Sequence, residues 1–157
     1  ELKDCFNGQG FTTLSTQIRL SYTFKPDLNL DVYAEPFAAS GRYDDFGELL
    51  AARSRFLRVY GTDGTTIEAP GDGSRIVGDG AETFTIRNRD FNVRSFRSNM
   101  VLRWEWRPGS TLYVVWQQDR AESTPLGSRA SLGDMFGSLG APGANFFAIK
   151  ASFWFAP

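Results

Sequence analysis

Six charged residues, Arg19, Asp31, Glu35, Arg103, Glu105 and Lys150, stand in segments where polar and apolar side chains alternate. If the faces that carry them enclose an interior, they offer a selectivity lining or a ladder of cross-strand ion pairs. Both signs occur in equal measure, so structural pairs filling a narrow interior are the better expectation. Asp44, Asp45 and Glu48 have the types of a general acid and base, but nothing places them across a cleft. Charge at the start of a short helix explains them better. Gly71-Asp72-Gly73-Ser74 and Gly78-Asp79-Gly80 resemble pieces of a calcium loop. They lack its spaced acidic run and terminal Glu, so turn chemistry is expected and no metal. Arg53, Arg55, Arg58, Arg87, Arg89 and Arg94 are interleaved with Phe46, Phe56, Tyr60 and Phe84, a mixture that can bind glycans or nucleic acid. Acids in the same stretch roughly cancel that charge, which favours a folded cap over a nucleic-acid surface.

Other chemistry is excluded by composition. The chain has no His and one Cys, which removes most nucleophile–base pairs and most zinc or haem sites. No phosphate loop and no Gly-x-Ser-x-Gly is present. Neither catalytic residues nor a cofactor are expected, and Cys5 reads as an ordinary small residue. Net charge is −1, so no field of one sign recommends an anionic partner. Aromatics reach 15%, with 4 Trp and 14 Phe, while mean hydropathy is only −0.30. A wall with one greasy and one wet face reconciles those two values.

The elements that position these residues follow a period of two. Ile18, Leu20, Tyr22 and Phe24 alternate with Gln17, Arg19, Ser21 and Thr23; Leu28, Leu30, Val32 and Ala34 alternate with Asn29, Asp31, Tyr33 and Glu35. The scheme recurs over 99–106, 111–118 and 147–155, where Met100, Leu102, Trp104, Trp106, Leu112, Val114, Trp116, Phe147, Ile149, Ala151, Phe153 and Phe155 form the apolar sets. Each segment is therefore expected to be a strand with one apolar and one largely polar face.

Lys25-Pro26-Asp27 and Arg107-Pro108-Gly109 read as tight turns. The stretches 38–94 and 119–144 read as long loops, with a short helix around Asp45 to Arg53 and a hairpin near Glu82 to Asn88. Short turns on one side and long loops on the other are the pattern of an outer-membrane barrel. Tyr22, Phe24, Trp104, Trp106, Phe153 and Phe155 all fall on apolar faces at the turn end, where an aromatic girdle at the periplasmic interface belongs. No run of about 18 apolar residues predicts a membrane helix. The chain opens on Glu1 without a signal pattern, as expected of a mature or partial product. Five strands are too few to close a barrel, because an open sheet in lipid leaves unpaired backbone groups. Further strands are expected from upstream sequence or from other chains.

The run from Ser95 to Gln118, SFRSNMVLRWEWRPGSTLYVVWQQ, resembles the end of a family of large bacterial outer-membrane proteins. That family joins a domain similar to family 9 carbohydrate-binding modules to a C-terminal barrel known as domain of unknown function 5916. The closing Phe146 to Phe155 is similar to its last strand and to the C-terminal signal read by the barrel-assembly machinery, although Ala156-Pro157 extends beyond it. The resemblance is good over 82–118 and at the last strand, and weak over 1–11 and the long loops. It implies an outer-membrane location with a periplasmic C-terminus, and it carries over no catalytic residue.

Together these features predict that residues 1–157 are the C-terminal part of a single antiparallel transmembrane β-barrel domain. The expected partners are the lipid bilayer, the remaining strands and the assembly machinery. The expected role is transport or binding of a nutrient, a glycan by analogy with the family's N-terminal domain. The alternatives are a structural, anchoring component of a larger surface or secretion assembly and, further off, a soluble all-β ligand-binding domain.

Overall fold

A computed structural model describes residues 5–51, 53, 55–124 and 128–155, with side chains described from Gly10 onward. The side chain of Cys5 and the Ala156-Pro157 extension lie outside them. The chain is all-β with antiparallel sheets, as its periodicity predicts, and has one short helix. The strands are β1 (Cys5–Ser15), β2 (Ile18–Lys25), β3 (Leu28–Leu49), β4 (Leu57–Val59), β5 (Thr65–Glu68), β6 (Arg75–Asp79), β7 (Glu82–Ile86), β8 (Phe91–Arg107), β9 (Ser110–Thr124) and β10 (Gly143–Ser152). Helix α1 (Leu132–Gly137) and a 3-10 turn (Ser138–Gly140) precede β10. The larger sheet has the order β1-β3-β8-β9-β10, with β2 and β4 also on β3; the smaller is β5-β6-β7. It is an open path rather than a ring: among the described residues no pairing joins β10 to β1 or β2.

Several elements differ from expectation. β3, β8 and β9 run far beyond the alternating segments, to 22, 17 and 15 residues. β1 is an additional strand, and β10 begins at Gly143 and ends at Ser152, so Phe153 and Phe155 follow the strand. The helix expected around Asp45 to Arg53 does not form. Asp45 takes a left-handed φ of 53° inside β3, a bend of the bulge kind. Gly47, Glu48 and Leu49 then pair with Val59, Arg58 and Leu57. The hairpin near Glu82 is built from β6 and β7, with Asp79 opposite Glu82 and Arg75 opposite Ile86.

Two compact units divide the chain. The first comprises 1–13, 39–93 and 123–130. It has a conventional core: Phe46, Tyr60, Val77 and Ile86 are buried, with Tyr43, Ile67 and Phe84 packed on them. Tyr60 meets Phe84 edge-on with ring centroids 5.5 Å apart, and the Arg75 guanidinium lies 5.7 Å from the centre of the Phe46 ring. Arg58 ties the strands together. Its Nη1 and Nη2 each donate to Asp79 at 3.0 Å, and Nη1 also reaches Glu48 Oε1 at 3.1 Å. These carboxylates, Asp79 foremost, hold the guanidinium pKa above its ordinary value. Loop ends are closed by side chains: Asn92 Nδ2 donates to Ser128 O and Oγ at 3.1 Å, and Ala130 N to Ser40 Oγ at 2.7 Å.

The second unit comprises 14–38, 94–122 and 131–157, and it is built differently. Its strand register sorts side chains by polarity. Ile18, Leu20 and Tyr22 stand opposite Ala34, Val32 and Leu30, while Arg19, Ser21 and Thr23 stand opposite Tyr33, Asp31 and Asn29. Across β9 and β10, Trp116, Val114 and Leu112 face Phe147, Ile149 and Ala151, while Val115, Tyr113 and Thr111 face Ala148, Lys150 and Ser152. Cross-strand partners share a face of the sheet, so both hairpins carry one apolar and one mostly polar face.

The two Pro turns are not equivalent. Asp27 keeps a negative φ, and a register irregularity between Thr23 and Lys25 absorbs the turn. Gly109 has φ +79°, the geometry of a type II turn with Pro at its first central position. A Cβ there would also meet Trp154 Cβ at 2.8 Å. Gly109→Ala is therefore expected to lower stability by about 1–2 kcal/mol from the backbone alone, with a further loss as Trp154 shifts. Denaturant midpoints of the two proteins check this; unchanged midpoints contradict it.

Candidate functional site

The polar face of the second unit gathers most of the charged residues expected to act. The Arg19 guanidinium lies 5.5 Å from the centre of the Tyr33 ring. Tyr33 Oη donates to Glu35 Oε2 at 2.5 Å, and Ser21 Oγ donates to Asp31 Oδ1 at 2.6 Å. Arg19 and Glu35 thus meet through Tyr33, and Asp31 lies in the same cleft, held by Ser21. A shallow cleft of about 300 Å³ there is lined by Arg19, Ser21, Asp31, Tyr33, Asn99 and Val101, among others. Arg103 and Glu105 pair along β8 at 3.6 Å, and Glu105 Oε1 also accepts from Gly109 N at 3.0 Å, bracing the turn. Lys150 stands apart, in a second cleft with Thr111, Tyr113, Val115 and Ser152.

Residues outside the expected set extend this face. Arg97 pairs with Asp119 at 3.7 Å. Both line a further cleft of about 330 Å³ with Tyr33, Asn99 and Gln117. The signal was available: 97 and 119 continue the odd-numbered polar positions of β8 and β9. The apolar alternation that marks these strands ends before them, at Met100 and Trp116. The face therefore presents alternating cations, anions and hydroxyls rather than a ring of one sign, a lining suited to neutral polar solutes or to internal pairing.

The expected girdle residues form two groups on the apolar face. Tyr22 and Phe24 meet edge-on with centroids 4.8 Å apart. Trp104 packs on Trp106 at 6.5 Å, Trp106 on Phe153 at 5.3 Å, and Phe153 stacks on Phe155 at 6.4 Å. Much of this face is open: Leu20 is 51% exposed, Ile149 62% and Phe155 84%. At the other end the same face turns polar. Ser98 Oγ donates to Gln118 Oε1 at 3.2 Å and Gln118 Nε2 to Asn145 Oδ1 at 2.8 Å, with Arg94 bonded to Glu122 beyond them.

The remaining candidates have structural employment in the first unit. Asp44 pairs with Arg42 at 3.2 Å and Glu48 with Arg58, so neither is aimed at a shared substrate position. Asp79 is engaged by Arg58 as well. Asp72 closes its own turn, accepting from Ser74 N at 2.8 Å and Ser74 Oγ at 2.5 Å. The Ser74 bonds depress the Asp72 pKa below its ordinary 3.8. A depressed acid stabilises the fold above its unfolded pKa and loses that contribution as pH falls through the folded value. The turn is thus expected to hold at neutral pH and to loosen only below about pH 4. An NMR titration of the Ser74 amide checks this; movement centred above pH 5 contradicts it. Of the interleaved loop residues, Phe46, Tyr60 and Arg58 build the fold, while Phe56 is 80% exposed.

Compared with protein-family models, with curated proteins and with solved structures, the chain has no match in any of the three.

Proposed function

We propose that the second unit is an arc of the wall of a bacterial outer-membrane β-barrel that transports or binds a nutrient, its apolar face in lipid and its polar face toward the lumen. The observation that carries this is the apolar face itself. Register partners place large apolar side chains together across β2–β3 and β9–β10, and they remain open to solvent. Contiguous exposed apolar faces are rare on water-soluble monomers and mark protein or membrane contacts. Its limits support lipid over a protein partner. The face runs from the Trp106–Phe153 cluster to the Gln118–Asn145 pair, and Asn145 to Phe153 is nine positions. A tilted strand crosses the hydrocarbon region in about 9–11 residues. Aromatics bounding it at one end and polar bonds at the other fit the two interfaces of a bilayer.

The open sheet edges require further strands in this reading, since each unpaired backbone group in lipid costs several kcal/mol. The resemblance of 95–118 and 146–155 to the domain of unknown function 5916 barrels points to an upstream sugar-binding-like domain, and so to a glycan as the nutrient. The mixed-sign polar face, rich in hydroxyls and aromatic rings, suits such a neutral solute.

Fractionation of the native polypeptide tests the proposal. It is expected in the outer membrane, soluble only with detergent, with a mass well above the 17.5 kDa of this sequence and faster gel migration before heating. Solubility in plain buffer overturns it. A mass near 17.5 kDa with a detergent requirement means that several chains complete the wall.

A further inference from the structure

The connection between β9 and β10 is not a free loop. Ser131 caps α1 with a full capping box, its Oγ accepting from Asp134 N while Asp134 Oδ2 accepts from Ser131 N. From there the chain runs across the strands rather than along them. Met135 Sδ accepts from Thr16 Oγ1, between β1 and β2. Gly137 lies against Arg94 of β8, where an added Cβ would meet Nη1 at 2.8 Å. Ala141 O accepts from Arg120 of β9 at 3.1 Å, and Pro142 O from Ala121 N at 3.1 Å.

The face of the sheet that it crosses follows from parity. Arg120 shares its face with Gln118, Trp116 and Val114 in an unbroken register, and Thr16 continues the even-numbered apolar positions of β2. The segment is therefore a strap on the apolar face, just beyond the Gln118–Asn145 pair. Its inner side is satisfied: Met135 is 7% exposed, Ser138 0% and Ala141 1%. Apart from the Ser131–Asp134 cap its outer side is apolar. Leu132 is 62% exposed, Phe136 63% and Leu139 49%. A surface helix with water on its far side carries polar residues there; this one carries Leu and Phe.

We infer that residues 131–141 form an interfacial strap that seats Leu132, Phe136 and Leu139 at the headgroup–acyl boundary of the outer leaflet. The inference rests on the membrane reading given above and deepens it. Three features select lipid as the occupant: continuity with the apolar face, a course transverse to the strands and so near the membrane plane, and a position one row beyond the apolar limit. Short apolar-faced segments in that setting lie in the interface rather than crossing it. The strap opposes the aromatic girdle at the far end, so each interface has its own anchor.

Spin labels test this in the native polypeptide reconstituted into phosphatidylcholine vesicles. Leu132→Cys, Phe136→Cys, Ile149→Cys and Thr83→Cys are compared, each in a Cys5→Ser background, by accessibility to oxygen and to a water-soluble nickel chelate. All four positions are exposed, so the labels are expected to be tolerated. The oxygen-to-nickel ratio is expected to be highest at Ile149, lowest at Thr83, and at 132 and 136 several-fold above Thr83. A lipid-like Ile149 with water-like 132 and 136 overturns the strap and leaves the membrane reading standing. Labels at 132 and 136 shielded from both probes mean a protein contact and overturn it equally. A water-like Ile149 overturns the membrane reading, and the strap with it.

Discussion

Ile149→Arg is expected to destabilise the reconstituted protein by about 2–4 kcal/mol, the cost of a guanidinium near the bilayer midplane. Ile149 pairs with Val114, midway along the apolar face between the Trp106–Phe153 cluster and the Gln118–Asn145 pair. The matched control is Val115→Arg, one residue along β9 and on the opposite face, paired with Ala148. There the proposed wall would put the new cation in a wetted lumen, and the expected cost is below about 1 kcal/mol. Urea unfolding in vesicles measures both. Equal costs mean that the two faces see the same environment, which removes the reason to place one in lipid. The pair of variants isolates sidedness because a period of two puts adjacent residues of one strand on opposite faces.

Phe46→Ala is expected to cost about 3 kcal/mol, within the range for removing a buried aromatic ring. Phe46 sits in the core with Tyr60, Val77 and Ile86, under the Arg75 guanidinium. That core is small, and a loss of this size is a large part of what a few short strands can muster. The predicted readout is new protease cleavage within 57–86 while the strands of the second unit stay protected. An unchanged cleavage pattern would show that this core does not hold the first unit together. General loss of protection would show instead that the units unfold as one.

How much of this was legible in the sequence depends on the range of the force concerned. Alternation of side chains is local, since each residue's face follows from its neighbour's. The strands at 17–24, 28–36, 99–106 and 111–118, their two faces and the Pro turns could therefore be read directly. Tyr22, Trp104 and Trp106 could be assigned to the apolar faces of their strands for the same reason. α1 also had a local signal, Ser131-x-x-Asp134 before Met135 and Phe136, which the Gly- and Ser-rich setting hid.

Long-range pairing was not legible. Asp44, Asp45 and Glu48 look like the start of a helix from their own composition, yet β3 continues because Val59, Arg58 and Leu57 arrive to pair with it. Arg58 reads as one of several loop cations until Asp79, far along the chain, closes on it. Nothing local could show that 131–141 turns back across the strands, because its course is set by Thr16, Arg94 and Arg120. The sequence by itself determined the all-β class and the apolar and polar faces, through contacts one or two residues apart. The tertiary structure alone decided that Arg58 meets Asp79 and Arg97 meets Asp119, where the first unit finds its core and what the connection to β10 covers, because those depend on residues far apart in the sequence meeting in space.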